Sequence, residues 1–121
     1  VFQLLQKKEL NRSRIKRITM PTIVVLFNLK PGASVTDYEN WARSKDIPVV
    51  NSLPSVETFR VLKMGNLLGS DATGPYAYCE LIEVPDMNTF FGDLSREDVQ
   101  AGAKQFGEFA DQPLFIVAND L

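Results

Sequence analysis

Two strand-like runs, Thr22 to Lys30 and Pro113 to Asn119, constrain this chain most, because both carry apolar side chains at consecutive positions. Successive side chains of a strand point to opposite faces of its sheet. In the first run Ile23, Val25, Phe27 and Leu29 point one way and Val24 and Leu26 the other; in the last, Phe115 and Val117 alternate with Leu114, Ile116 and Ala118. Both faces of the sheet therefore need cover.

The sequence between the two runs supplies the other elements. Pro31-Gly32 marks a turn, and Ser34-Val-Thr-Asp37 has the form of a capping box, so a helix is expected to start there. Val35, Tyr38 and Ala42 share one face of that helix, with Trp41 on its flank. Pro48 lacks the N–H of a continuing helix, which predicts a kink or restart around Ile47 to Leu53 before Pro54 ends the segment. Val56 to Met64 and Tyr76 to Val84 are rich in β-branched and aromatic residues and read as strands two and three, joined by the glycine-rich connection Gly65 to Pro75. If that hairpin is symmetric about Ser70, Arg60 lies opposite Glu80, Leu62 opposite Tyr78 and Met64 opposite Tyr76. Residues 87–94 read as a short helix. Ser95-Arg-Glu-Asp98 reads as a second capping box, opening a helix to about Ala110 with Val99, Gly102, Ala103 and Phe106 as its buried stripe and Phe109 and Ala110 extending it.

The order strand, helix, strand, strand, helix, strand is that of an α+β, ferredoxin-like βαββαβ fold with a four-stranded antiparallel sheet. Two helices cover one face of such a sheet. The other would expose a larger apolar patch than monomers usually carry, so two sheets are expected to pair face to face as a homodimer, a dimeric α/β barrel.

Charge separates residues 1–19 from the rest. Lys7, Lys8, Arg12, Arg14, Lys16 and Arg17 stand against Glu9 alone, a net charge of +5, and the remainder holds seven basic and fourteen acidic residues, a net charge of −7. Met20-Pro21 precedes the first strand and reads as a start, so residues 1–19 are expected to be a basic extension outside the fold and residues 20–121 a single domain. An acidic body repels phosphate backbones, and the basic segment has neither interleaved aromatics nor an amphipathic face; no nucleic-acid or membrane partner is expected. The chain has no histidine and one cysteine, Cys79, which excludes His-based acid/base chemistry, His-ligated and Cys-based metal sites and an intrachain disulfide. With no membrane-length apolar stretch and no secretory signal, a soluble cytoplasmic protein is expected. No GxGxxG or phosphate loop suggests a nucleotide, and no cofactor is expected.

The segments Met20-Pro-Thr-Ile-Val-Val, Tyr38-Glu-Asn-Trp41, Asp46-Ile-Pro-Val-Val-Asn-Ser-Leu-Pro54 and Gln112-Pro-Leu-Phe-Ile-Val together resemble the RedY-like family of prodigiosin and tripyrrole pigment biosynthesis, over about residues 20–121. The resemblance implies a dimeric α/β barrel, a superfamily that includes cofactor-free monooxygenases, and a role in handling a pyrrole or other nitrogen heterocycle during antibiotic assembly. It carries over no catalytic residue.

The candidate site residues come from the sequence itself. Glu80 is the most conspicuous ionisable group within Tyr76-Ala-Tyr-Cys-Glu-Leu-Ile, and either pairs with Arg60 across the hairpin or serves as an acid, base or ligand anchor. Arg60, Tyr78 and Glu80 form the candidate catalytic cluster. Asn28, Tyr38, Trp41, Tyr76, Phe91 and Phe106 are candidate ligand contacts, by hydrogen bonding or by stacking on a planar molecule, with plain packing as the alternative for each aromatic. Phe90 and Phe109 are core or pocket wall. The expected function is cofactor-independent binding of a pyrrole-containing intermediate, with its condensation or cyclisation promoted by positioning and proton transfer. Two alternatives stand beside it: a non-catalytic protein delivering a hydrophobic intermediate to other pathway enzymes, and a cofactor-free monooxygenase of aromatic substrates.

Overall fold

The structure, a computed structural model, describes residues 20–121; the expected basic extension lies outside the described residues. Strand β1 (Thr22–Leu29) leads through helix α1 (Val35–Trp41), a π-helical turn (Ala42–Asp46) and helix α2 (Ile47–Asn51) to strands β2 (Thr58–Lys63) and β3 (Tyr78–Glu83). Helices α3 (Met87–Asp93) and α4 (Glu97–Phe109) follow, and strand β4 (Ala110–Ala118) closes the chain. The strands lie in the order β2-β3-β1-β4, each neighbouring pair antiparallel, which is the expected ferredoxin-like sheet.

Local chemistry explains most boundaries. Lys30 O accepts from Ala33 N–H at 2.9 Å across Pro31-Gly32, and Gly32, with φ +85°, takes the left-handed position of that turn at no steric cost. Ser34 Oγ then caps α1 by accepting from Asp37 N–H at 3.1 Å. The irregularity expected at Pro48 begins earlier: Ile47 N–H reaches back to Ala42 O, and this widened turn carries the helix into the proline, after which the chain stays helical to Asn51.

Three expectations are corrected. Ser95 does not open a capping box. Its hydroxyl donates to Gly92 O at 2.7 Å in the turn that closes α3, and Arg96 is the residue that precedes α4, its guanidinium on Asp98 at 3.0 Å. The last strand starts at Ala110, three residues before Pro113. A bulge opposite Leu26 to Asn28 puts Gln112 at φ +43° and accommodates the proline, so that Asp111 and Ala110 still pair with Asn28 and Leu29.

The third correction concerns the hairpin. Glu80 lies opposite Val61, Arg60 opposite Leu81, Leu62 opposite Cys79 and Lys63 opposite Tyr78, one residue from the symmetric register. The connection is asymmetric: Asn66 bridges Thr73 near its tip, while Met64 N–H donates to Ala77 O at its base, leaving extra residues on the returning limb. Asn28 holds that limb, its amide donating to Pro75 O at 3.0 Å and accepting from Ala77 N–H at 2.8 Å. A one-residue slip reverses the face on which a side chain lies, so Arg60 and Glu80 are on opposite sides of the sheet and form no pair.

The helices cover one face, where Ile23, Val25 and Phe27 pack with Tyr38, Trp41 and Phe59. Phe27 is fully buried, stacked on Tyr78 at 5.5 Å and edge-on to Tyr38 and Phe106. The opposite face carries Val24, Leu26, Leu81, Leu114 and Ile116 in register across three strands, the last two exposed.

Candidate functional site

Between the helices and the covered face of the sheet lies a cavity of about 620 Å³, within the range of small-molecule sites. Ile23, Phe59, Glu80, Ile82 and Phe115 form its floor. Its walls come from Trp41 through Leu53 on one side and from Phe90, Leu94 and the Val99, Gly102, Phe106 stripe of α4 on the other. Trp41 ties the walls together, its indole N–H donating to Gln105 Oε1 at 2.7 Å.

Three carboxyl groups line this largely apolar space, and one of them, Asp98, is held by Arg96 at 3.0 Å. Glu80 is 6% exposed, its strand neighbours Val25 and Val61 offer no polar group, and its Oε2 has no hydrogen-bond partner. Burial, and then the charge of Asp46, push its pKa up to about 8. Asp46, at the end of the π-helical turn, is pushed up to about 6 by burial. Near neutral pH Glu80 is therefore mostly protonated, able both to donate and to accept, while Asp46 is mostly ionised. The Tyr38 hydroxyl, buried without a partner, is pushed well above the usual phenol range by burial and then by Glu80 and Asp46.

The structure divides the candidate residues. Glu80, Trp41 and Phe106 line the cavity; Arg60, Tyr78, Tyr38, Asn28, Tyr76 and Phe91 do not. Tyr78 shares the strand face of Glu80, but its hydroxyl donates to Glu39 Oε2 at 2.7 Å, where Lys63 Nζ also binds at 2.7 Å. Tyr76 precedes β3, Phe91 is exposed, and Asn28 uses its amide on the hairpin limb. Asp46, Lys45, Gln105 and Asp98 are wall residues that the sequence reading did not single out. The sequence signal for Asp46 was an acid two residues before a helical proline. Among the described residues no three metal-ligating side chains cluster as a metal site would need.

Comparison with known proteins bears on the fold and the family. No protein of curated function matches the chain. Among solved structures, HapK from Hahella chejuensis shares 26% identity at a TM-score of 0.66, over 84% of this chain and 93% of that one. A ferredoxin-like dabb family protein from Mesorhizobium loti shares 18% at 0.62, over 84% and 97%. A protein from Bacteroides fragilis, described as dimeric and ferredoxin-like, shares 14% at 0.59, over 83% and 95%. The family described as REDY-like protein HapK matches residues 21–121, and the chain belongs to that family.

Proposed function

We propose that the protein binds a small pyrrole-containing intermediate in this cavity and promotes its condensation or cyclisation, without a cofactor, by proton transfer from Glu80 and to Asp46. One observation carries the reading: the unpartnered Oε2 of a buried Glu80 inside a largely apolar cavity. An orphaned buried polar group costs stability, and a ligand with an N–H or carbonyl beside it would relieve that cost. The different environments of the two carboxyl groups, at about 8 and about 6, support Glu80 as the acid and Asp46 as the base.

In a pyrrole–aldehyde condensation, a C–C bond forms as the ring carbon attacks the carbonyl. Glu80 protonates the carbonyl oxygen, and Asp46 takes the ring proton. Asp46 then returns that proton to the new hydroxyl, which leaves as water, and the ring N–H proton restores Glu80. Trp41, Phe59 and Phe106 offer flat apolar surface to hold the rings. Family membership supports the same ligand class, and the proposed setting is a pigment pathway in the cytoplasm.

Trp41 is the single tryptophan and a cavity wall, so its fluorescence reports occupancy. Titration with a bipyrrole aldehyde is expected to quench it saturably, and condensation with an alkylpyrrole to run faster with the protein present. Glu80→Gln is expected to slow that reaction about 100-fold. Quenching with no acceleration would favour the delivery role, and absence of quenching would overturn the site.

We also propose that two chains pair through their uncovered sheet faces, where Leu114 is 45% and Ile116 43% exposed; the dimeric description of the Bacteroides fragilis protein supports this. Particle mass in solution, expected at twice that of one chain, checks it.

A further inference from the structure

Resting on the reading of the cavity as a ligand site, we infer that it selects ligands entering as cations with N–H donors, such as a protonated nitrogen heterocycle, and that entry expels a proton from the protein. The charged groups that line it are Glu80 from β3, Lys45 and Asp46 from the π-helical turn, and Asp98 from α4. Asp98 is already engaged by Arg96 at 3.0 Å, and Lys45 is exposed. The inner part thus holds two carboxyl groups with no cation beside them, and one of these presents a free oxygen. The Tyr38 hydroxyl and the Cys79 thiol, the other ionisable groups these acids influence, are both pushed up, by burial first, and stay neutral at pH 7. Strand β2 adds only Phe59 to the lining, because Arg60 faces the other side of the sheet.

A neutral apolar ligand leaves both carboxyl groups as they are. An anionic one adds a like charge beside Asp46. A flat cation supplies the missing counter-charge and hydrogen-bond donors while its ring meets the aromatic wall. An adjacent positive charge favours the ionised form of an acid, so the proton on Glu80 leaves as the cation arrives, and with such a ligand the cation's own N–H takes over the acid role that Glu80 has toward a neutral one. The sign is then fixed: cation affinity rises with pH up to about 8, where Glu80 ionises without help, and proton release fades above that point.

Two soluble probes of similar shape test this: 4-aminoquinoline, a cation at neutral pH, and quinoline, which is neutral there. Calorimetric titration at pH 7 in two buffers of different ionisation enthalpy gives both affinity and protons released. The 4-aminoquinolinium ion is expected to bind about tenfold more tightly and to release more than about half a proton, while quinoline releases none. Glu80→Gln is expected to abolish the release, and Asp46→Asn to reduce the preference for the cation. Equal affinities for the two probes in the unmodified protein would overturn the inference and leave the cavity reading intact. A preference without proton release would overturn it as well, assigning the selectivity to charges at the rim. Failure of both probes to bind would overturn the inference together with the site it rests on.

Discussion

Glu39 and Glu80 are the same residue type in one small fold, and their surroundings treat them oppositely. Glu39, on α1, takes Lys63 Nζ and the Tyr78 hydroxyl on one oxygen, each at 2.7 Å, and Arg43 on the other at 3.2 Å. The Lys63 and Tyr78 hydrogen bonds lead in lowering its pKa to about 2. Glu80 has valines as strand neighbours, an orphaned oxygen and a second acid for company, and is pushed up to about 8. A carboxylate that the fold needs is surrounded by donors. One held without donors depresses the stability of the empty protein, and the proposed ligand would supply the donor it lacks.

The pH dependence of stability is the strongest way to break this comparison. A folded-state pKa raised from 4.5 to about 8 means that the native state holds a proton the unfolded chain has lost, so Glu80 weakens the fold progressively as pH rises from about 4.5 to about 8. Asp46 acts in the same sense between about 3.8 and about 6. Glu39 acts in reverse: its contribution is complete above about 4.5 and is lost as pH falls through about 2. Maximum stability is therefore expected near pH 4 to 5. Glu80→Gln is expected to flatten the alkaline side, gaining on the order of 4 kcal/mol at pH 9 relative to its effect at pH 5. Urea titrations at the two pH values measure this, and an unchanged alkaline slope would put the Glu80 carboxyl in contact with water or a donor.

A smaller effect is expected on the Glu39 side. Tyr78→Phe deletes one donor to Glu39 and keeps the ring stacked on Phe27, so it should cost about 1 kcal/mol and raise the pKa of Glu39 toward the ordinary carboxylate value. Carboxylate titration followed by NMR reads the second change. Ligand quenching of Trp41 should be unaffected, because Tyr78 does not line the cavity. The smallest effect sharpens the contrast most: Arg60→Met is expected to alter stability by less than about 0.5 kcal/mol at both pH 5 and pH 9. A larger change that grows with pH would mean that Arg60 does reach Glu80.

Element order, the sheet and the apolar character of both its faces were legible because each rests on local patterns: the alternation in β1 and β4, the Ser34 cap and the spacing of Val99, Gly102 and Phe106 in α4, a face that is half-buried over the cavity where a buried one was expected, with Ala103 exposed. Glu80 stood out because one charge in an apolar strand is conspicuous. Its supposed partner did not survive, since register depends on which limb of the 65–75 connection carries the extra residues, and on an Asn28 side chain reaching that limb from another strand. Asp46 escaped for a related reason. Counted at 3.6 residues per turn, it falls roughly 140° around the helix from Trp41, away from the face that builds the cavity.

The π-helical turn removes that discrepancy and in doing so acts as a phase shifter. Trp41 and Asp46 are five apart in the chain yet line one cavity, about where a spacing of four would put them in a regular helix. Deleting one residue between them, Ser44 for instance, would restore ordinary pitch and keep both side chains on the cavity. Loss of that one extra residue is therefore expected to be silent at the site. The acid keeps its place by its distance from Pro48, counted backward along the chain, and not by its distance from the cap at Ser34.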